Sequence, residues 1–343
     1  MYEKLLEDYT EMINKRLEKY FANLLDEARD YHPFIFDAYS HLQEYVLRKG
    51  KRLASCSTLL TYKGYTNEIN EEILDVCVGI ELYRHSILAH DDLVDRDILR
   101  RGGKAFHKIY EEYNERFGEG LAIFMGNIMY ALSIQAIQNS GFKDELIKET
   151  LKLFARDYQR VNESQILDLL FEWKEPSKEE WYVMASKRAA SLFHCTILTG
   201  AILGEAPRED ILKLKDAASH IGYSFDIQDD IIGSFASKEE YGREPTGDII
   251  LGKKPLHTVY AFELSRGENL DKLRLKGDMT KEEIEEIKEI IKKSGALEKA
   301  KENSRTHAKK AVELIKGTSL SEETKEFFVG FIEYVAESLE WYK

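Results

Sequence analysis

The chain has 343 residues, enough to bury a substantial core as one large domain or two ordinary ones. Its 49 Lys and Arg against 62 Asp and Glu leave a net charge of −13, which argues against nucleic acid as a main partner and requires any anionic ligand to be captured by local cations or metal. Cys56, Cys77 and Cys195 stand apart among apolar neighbours, and neither a signal peptide nor a run of about 18 apolar residues is read, so a cytoplasmic protein that does not span a membrane is expected.

Apolar residues at helical spacing, punctuated by five prolines, predict helices near 2–29, 34–48, 51–64, 70–95, 104–114, 118–139, 143–171, 178–203, 208–235, 255–266, 280–293, 296–315 and 321–341. Strand alternation is absent. Gly102-Gly103, Gly141, Pro176, Gly204 and Tyr241–Gly252 read as loops, and Gly267–Met279 as an exposed connection. No repeat, low-complexity tract or linker divides the chain, so a single all-α domain over 1–343 is expected.

Two of these helices carry acid on a face that is otherwise apolar. Ile73, Cys77, Ile80, Arg84, Ile87, Asp91 and Asp95 share one face of the helix near 70–95, and Ile211, Leu214, Ala218, Ile221, Phe225 and Asp229 share one face of that near 208–235. A core-facing carboxylate is costly unless something positive neutralises it. Asp91 and Asp95 lie one turn, ~6 Å, apart, a spacing that suits Mg²⁺ ions sharing oxygens with a substrate phosphate. Asp92 is turned about 100° aside. An acidic helix end neutralised by Arg100 and Arg101 is the plainer reading of the first cluster alone. The second cluster, Asp226 with Asp229-Asp230, shifts the balance to a divalent-metal site for a phosphorylated ligand.

Gly50-Lys51-Arg52, His90–Asp95 with Arg100-Arg101-Gly102, Gln165 with Asp168, Lys187, Asp229-Asp230, and Gly247-Asp248 with Gly252-Lys253-Lys254 follow in one order. In that order, from about Leu42 to Tyr260, the chain resembles the trans-isoprenyl diphosphate synthases. Within them it looks most like the archaeal and bacterial geranylgeranyl diphosphate synthases, which tolerate glycine at the position of Gly233. The resemblance implies a helical bundle of the isoprenoid synthase type with a central cavity, and a homodimer. It implies Mg²⁺-dependent condensation of isopentenyl diphosphate with an allylic diphosphate, whether dimethylallyl, geranyl or farnesyl. It gives Asp91, Asp95 and Asp229 three Mg²⁺ ions on the allylic diphosphate, which Arg100, Lys187 and Lys253 also contact. It gives Lys51 and Arg101 the diphosphate of isopentenyl diphosphate, counts Arg52 among the substrate-binding residues, and lines the allylic pocket with Gln165 and Asp168.

The chain departs from that pattern in two places. Lys49 and Ala54 replace a glycine and an arginine, while Arg84 replaces a His or Gln seven residues before Asp91. An exchange of cations at the acceptor site is preferred to an Arg84 that only neutralises Asp91 or Glu81. Arg188 and Asp226 replace a Thr and a Gln near the developing cation. A partly buried Arg188–Asp226 ion pair is expected, ahead of Asp226 as a further metal ligand.

Product length is read from the helix before Asp91. Ser86 is too small to block a growing chain, Ile87 narrows the wall, and Tyr83 is the first large side chain on the column. The floor therefore falls from ~7.5 to ~12 Å below Asp91, which suits a C20 product, with C25 next. Met125 or Met129 on another helix is the competing floor. The rivals are a terpene cyclase, a subunit of a heteromeric synthase, and, most seriously, a prenyltransferase with another acceptor.

Overall fold

The computed structural model describes residues 2–237, 246–265 and 269–338. Residues 241–245 of the expected loop, residues 266–268 around the expected connection, and the end of the last helix beyond 338 lie outside the described residues. The fold is all-α, as expected, with helices α1 (Tyr2–Arg29), α2 (Pro33–Leu47), α3 (Leu53–Thr66) and α4 (Glu71–Val94). They are followed by α5 (Phe106–Ile109), α6 (Glu115–Gln138), α7 (Asp144–Phe171), α8 (Lys178–Ala185), α9 (Ala189–Leu203) and α10 (Arg208–Phe235). The remaining helices are α11 (Gly247–Leu251), α12 (Leu256–Leu264), α13 (Leu270–Leu273), α14 (Lys281–Lys293), α15 (Ala296–Lys316) and α16 (Glu322–Glu337).

Helix starts follow local chemistry. Pro33 begins α2, and the His32 side chain accepts the Phe34 N–H. The Asn70 side chain accepts the Ile73 N–H at the start of α4. Ser177 with Glu180, and Thr280 with Glu283, form reciprocal capping boxes on α8 and α14.

The structure corrects four expectations. Strands are present: β1 (Leu99–Arg100) pairs antiparallel with β2 (Gly103–Lys104). They are joined through Arg101 and Gly102, whose positive φ values of 49° and 78° are those of a two-residue hairpin turn. Two-residue strands are too short to show alternation. The helix expected near 104–114 shrinks to α5, because the Asn114 side chain accepts the Phe117 N–H and starts α6 early. The helix expected over 178–203 is broken at Ser186–Arg188 into α8 and α9. Helical turns α11 and α13 occupy segments expected to be loops, and Leu273 of α13 is buried.

The chain falls into two compact units, Met1–Leu151 with Thr199–Glu205, and Lys152–Leu198 with Ala206–Lys343. In the first, α4 packs on α6 so closely that a Cβ on Gly79 would meet Ile137 at 2.8 Å. Cys56 and Cys77 are buried free thiols there, as Cys195 is in the second unit. By length and composition α6 could cross a membrane, but Ala122, Met125, Met129 and Leu132 are buried within the unit. The second unit has a core that includes Trp181, Met184, Ile227, Ile231, Leu256 and Tyr260. Each such large side chain contributes ~1.5–3 kcal/mol on leaving water.

Candidate active site

In the first unit, the end of α4 carries Asp91, Asp92 and Asp95. Helix geometry runs to Asp95, whose N–H still bonds the Asp91 carbonyl at 2.8 Å, so Asp91 and Asp95 sit one turn apart. Anions at a helix C-terminus oppose the macrodipole and need a nearby positive charge. Asp92, fully buried, takes Arg100: the Arg100 Nε donates to Asp92 Oδ1 at 2.6 Å, and the Tyr45 hydroxyl donates to Oδ2 at 2.9 Å. Arg100 also reaches Asp97 at 3.3 Å and Asp91 at 3.6 Å. Asp91 and Asp95 remain half-buried.

The hairpin is locked to the Gly50-Lys51-Arg52 segment by Arg48, which sequence reasoning missed. Its Nη1 donates to the carbonyls of Arg100 at 3.0 Å and Lys104 at 2.8 Å. Arg101 in turn lies over Gly50, where a Cβ would be 3.0 Å from its Cζ. The His85 Nδ1–H donates to the Glu81 carbonyl at 2.7 Å, so its Nε2 can accept from Arg101 Nη1 at 3.2 Å. Burial, and then the charge of Arg101, push the His85 imidazole well below its ordinary range, consistent with this neutral tautomer.

Arg52, counted among the expected substrate contacts, is engaged within the protein. It is 2% exposed, and its guanidinium donates to Glu81 Oε2 at 3.0 Å and Asn14 Oδ1 at 2.9 Å. Burial alone raises the Glu81 carboxyl, but Arg52 and the Ser55 hydroxyl bring it down to about 2. Glu81 is therefore matched by Arg52 rather than by Arg84. Arg84 and Ala54 are half-buried, and among the described residues no hydrogen bond or ion pair engages Arg84. Lys51 is half-buried.

On the same α4, Tyr83 and Ser86 are fully buried and Ile87 is half-buried. The Ser86 hydroxyl donates to the Tyr83 carbonyl at 2.8 Å. Tyr83 meets Tyr130 of α6 at a ring separation of 6.4 Å, a neighbour the sequence did not single out. Met125 and Met129 are buried on α6.

The second unit carries Asp226, Asp229 and Asp230 on α10. The expected Arg188–Asp226 pair forms, with Nε donating to Oδ1 at 3.0 Å. Arg188 also reaches Asp230 at 3.3 Å and Asp168 at 3.6 Å, so a pair read from sequence is a four-residue network. Gly222 admits α10 against the start of α9, where a Cβ would lie 2.4 Å from Ala190 N. One turn on, the Ala189 N–H partly offsets the effect of burial on the Asp226 carboxyl.

The charges of this unit do not cancel. Burial, against the pull of Arg188, and repulsion from Asp226, Asp248 and Asp229 push the Asp230 carboxyl well up. Asp226 Oδ2 is buried and, among the described residues, accepts no hydrogen bond. Lys253 lies 3.4 Å from Asp168 and 3.7 Å from Asp248. Lys187, in the turn before α9, is bonded to Glu163, another partner sequence reasoning missed. Gln165 is half-buried one turn from Asp168 on α7.

These donors fit Mg²⁺. They are hard carboxylate oxygens, and Asp91 and Asp95 are half-buried rather than sealed within the protein. Among the described residues no three His, Cys, Asp or Glu side chains form a closed cage.

A family model described as polyprenyl synthetase matches residues 37–294. The chain is 32% identical over 264 residues to a short chain isoprenyl diphosphate synthase of Methanocaldococcus jannaschii, covering 76% of this chain and 77% of that protein. It superimposes with a TM-score of 0.80 and 26% identity on a geranylgeranyl pyrophosphate synthetase of Pyrococcus horikoshii, over 96% of this chain and 99% of that one. A geranylgeranyl pyrophosphate synthase of Corynebacterium glutamicum, complexed with isoprenyl diphosphate and magnesium, shares the fold at a TM-score of 0.90 and 21% identity, covering 98% and 99%.

Proposed function

Since this chain belongs to the polyprenyl synthetase family, we propose that it makes C20 geranylgeranyl diphosphate, with Asp91, Asp95 and Asp229 as its metal ligands. It is a prenyltransferase, joining isopentenyl diphosphate head-to-tail to an allylic diphosphate with Mg²⁺ and releasing diphosphate. Bound Mg²⁺ supplies the positive charge that draws electrons into the breaking C–O bond. The double bond of isopentenyl diphosphate supplies the electrons of the new C–C bond, and the proton lost from the acceptor goes to the released diphosphate.

The residues have separable tasks. Asp91, Asp95 and Asp229 hold the metal, three ions in all. Arg100, Lys187 and Lys253 contact the allylic diphosphate, Gln165 and Asp168 line its pocket, and Lys51, Arg101 and Arg84 take the acceptor diphosphate. Arg188 and Asp226 are an ion pair beside the substrate rather than a further metal site. Tyr83, Ser86 and Ile87 set chain length. The whole chain acts as one domain, as a cytoplasmic homodimer. Exposed Phe117, Ile123 and Phe124 on α6 support self-association.

The observation that carries the reading is the end of α4. There Asp92 is neutralised inside the protein, while Asp91 and Asp95, one turn apart, are half-buried. The test is incubation with Mg²⁺, labelled isopentenyl diphosphate and each of the dimethylallyl, geranyl and farnesyl primers. A dominant C20 product is expected. No incorporation of label, with diphosphate released from the allylic primer only when a different acceptor is present, would favour the rival prenyltransferase.

A further inference from the structure

The segment 269–277, which looks in the sequence like an exposed connection, is clasped at several points to the elements that carry Asp168 and Lys253. Lys276 is the centre of the clasp. Its Nζ stands 3.2 Å from the centre of the Trp173 ring and donates to the Glu172 carbonyl at 3.3 Å, just beyond the last turn of α7. An ammonium there is favoured by the α7 dipole as well as by the ring. The aliphatic stem of Lys276 covers Gly252, where a Cβ would lie 2.9 Å from the Lys276 Cβ. Gly252 has φ 75°, so glycine serves both the turn and the close approach. The Gly277 N–H donates to the Ile250 carbonyl at 2.8 Å, and Leu273 is buried in the same core as Leu256. Arg274 pairs with Glu175 at 2.6 Å, but both are more than two-fifths exposed, and such surface pairs contribute little.

The residue after Gly252 is Lys253, whose Nζ reaches Asp168 of α7 at 3.4 Å. One side chain, Lys276, therefore touches both the end of α7 and the turn that presents Lys253. We propose that Lys276, stacked on Trp173, is a positioning residue that fixes the Lys253 turn against α7 and so sets how tightly the allylic diphosphate is held. This rests on the proposed role of Lys253.

The experiment uses the full chain and the variants Lys276→Ala, Lys276→Arg, Trp173→Ala and Lys253→Ala, alone and with Lys276→Ala. Their fold is checked by circular dichroism. Lys276→Ala and Trp173→Ala are expected to raise KM for the allylic diphosphate ~fivefold and leave that for isopentenyl diphosphate within twofold. Lys276→Arg, which keeps the cation on the ring, is expected to restore most of the loss. In the Lys253→Ala background, Lys276→Ala should add no further increase. Equal effects on both substrates, full multiplication of the two losses, or an unchanged KM would each overturn the inference. Absence of elongation by the wild type would instead count against the proposed function. The affinity for inorganic diphosphate with Mg²⁺ then tests the clasp separately, and a Lys276→Ala affinity equal to wild type would overturn it.

Discussion

Arg188 faces three carboxylates, Asp226, Asp230 and Asp168, while Asp226 answers to one guanidinium. The two halves of the pair are thus unequal. Arg188→Thr strands Asp226 and Asp230, leaves Asp168 to Lys253, and is expected to cost ~3–5 kcal/mol. Asp226→Gln leaves Arg188 two other partners and should cost about half as much, in the range of a lost hydrogen bond to a charge. The double change should be milder than Arg188→Thr alone. Denaturant unfolding of the three variants checks this, and additive losses would contradict direct pairing. Arg84 makes the second prediction at this scale. Since Glu81 is already matched by Arg52, Arg84→Gln should raise KM for isopentenyl diphosphate far more than for the allylic substrate, and Ala54→Arg should recover much of it. An unchanged KM would leave Arg84 without an acceptor role.

At the scale of elements, helical periodicity made α1 to α4, α6, α7 and α10 legible, because long apolar stripes leave little choice of period. What escaped depends on contacts distant in sequence. The close approach of α10 to the start of α9 needs Gly222 from another helix, and the burial of Arg52 needs Glu81, 29 residues away. The acidic clusters and basic motifs could be found because chemistry fixes their residue types. Their partners, Arg48, His85, Glu163 and Tyr130, could not, since each is ordinary on its own helix. Tyr130 alters the chain-length prediction, because Tyr83 shares its place with a second ring. Tyr83→Ala should lengthen the product by at least one C5 unit, each added methylene burying ~0.8 kcal/mol. Tyr83→Ala with Tyr130→Ala should lengthen it further, and Ser86→Phe should shorten it towards C15. Chromatography of the dephosphorylated products decides. An unchanged profile in the double variant would move the floor to another element, Met125 and Met129 first.

Across the whole molecule, buried histidines shape the response to acid. Burial lowers His194 to about 4, His257 to about 3 and His307 to about 4. Between these values and the ordinary 6.5 the unfolded chain binds the extra protons. Their contribution to stability is therefore complete above pH 6.5 and is lost as pH falls towards 4. Asp157, raised by burial to about 6, acts in the opposite sense between its ordinary value and 6. His85 adds to the histidine side, and Asp226 and Asp230, also raised by burial, add to the carboxyl side, so the histidine contribution is isolated by substitution. In denaturant midpoints measured from pH 4.5 to 7.5, His257→Leu should change the pH slope from that of wild type by about one proton, ~1.4 kcal/mol per pH unit, near pH 5. An unchanged slope would contradict the burial of this imidazole.

The central claim is that Asp91 and Asp95 hold the metal that activates an allylic diphosphate. Turnover of labelled isopentenyl diphosphate with farnesyl diphosphate, compared between wild type and Asp91→Ala across a Mg²⁺ titration, tests it most directly. The account predicts elongation by the wild type that vanishes without Mg²⁺. It predicts a loss of at least ~1000-fold in the variant at saturating Mg²⁺, equivalent to the several kcal/mol such a ligand supplies in the transition state. Turnover by Asp91→Ala within tenfold of wild type would contradict it.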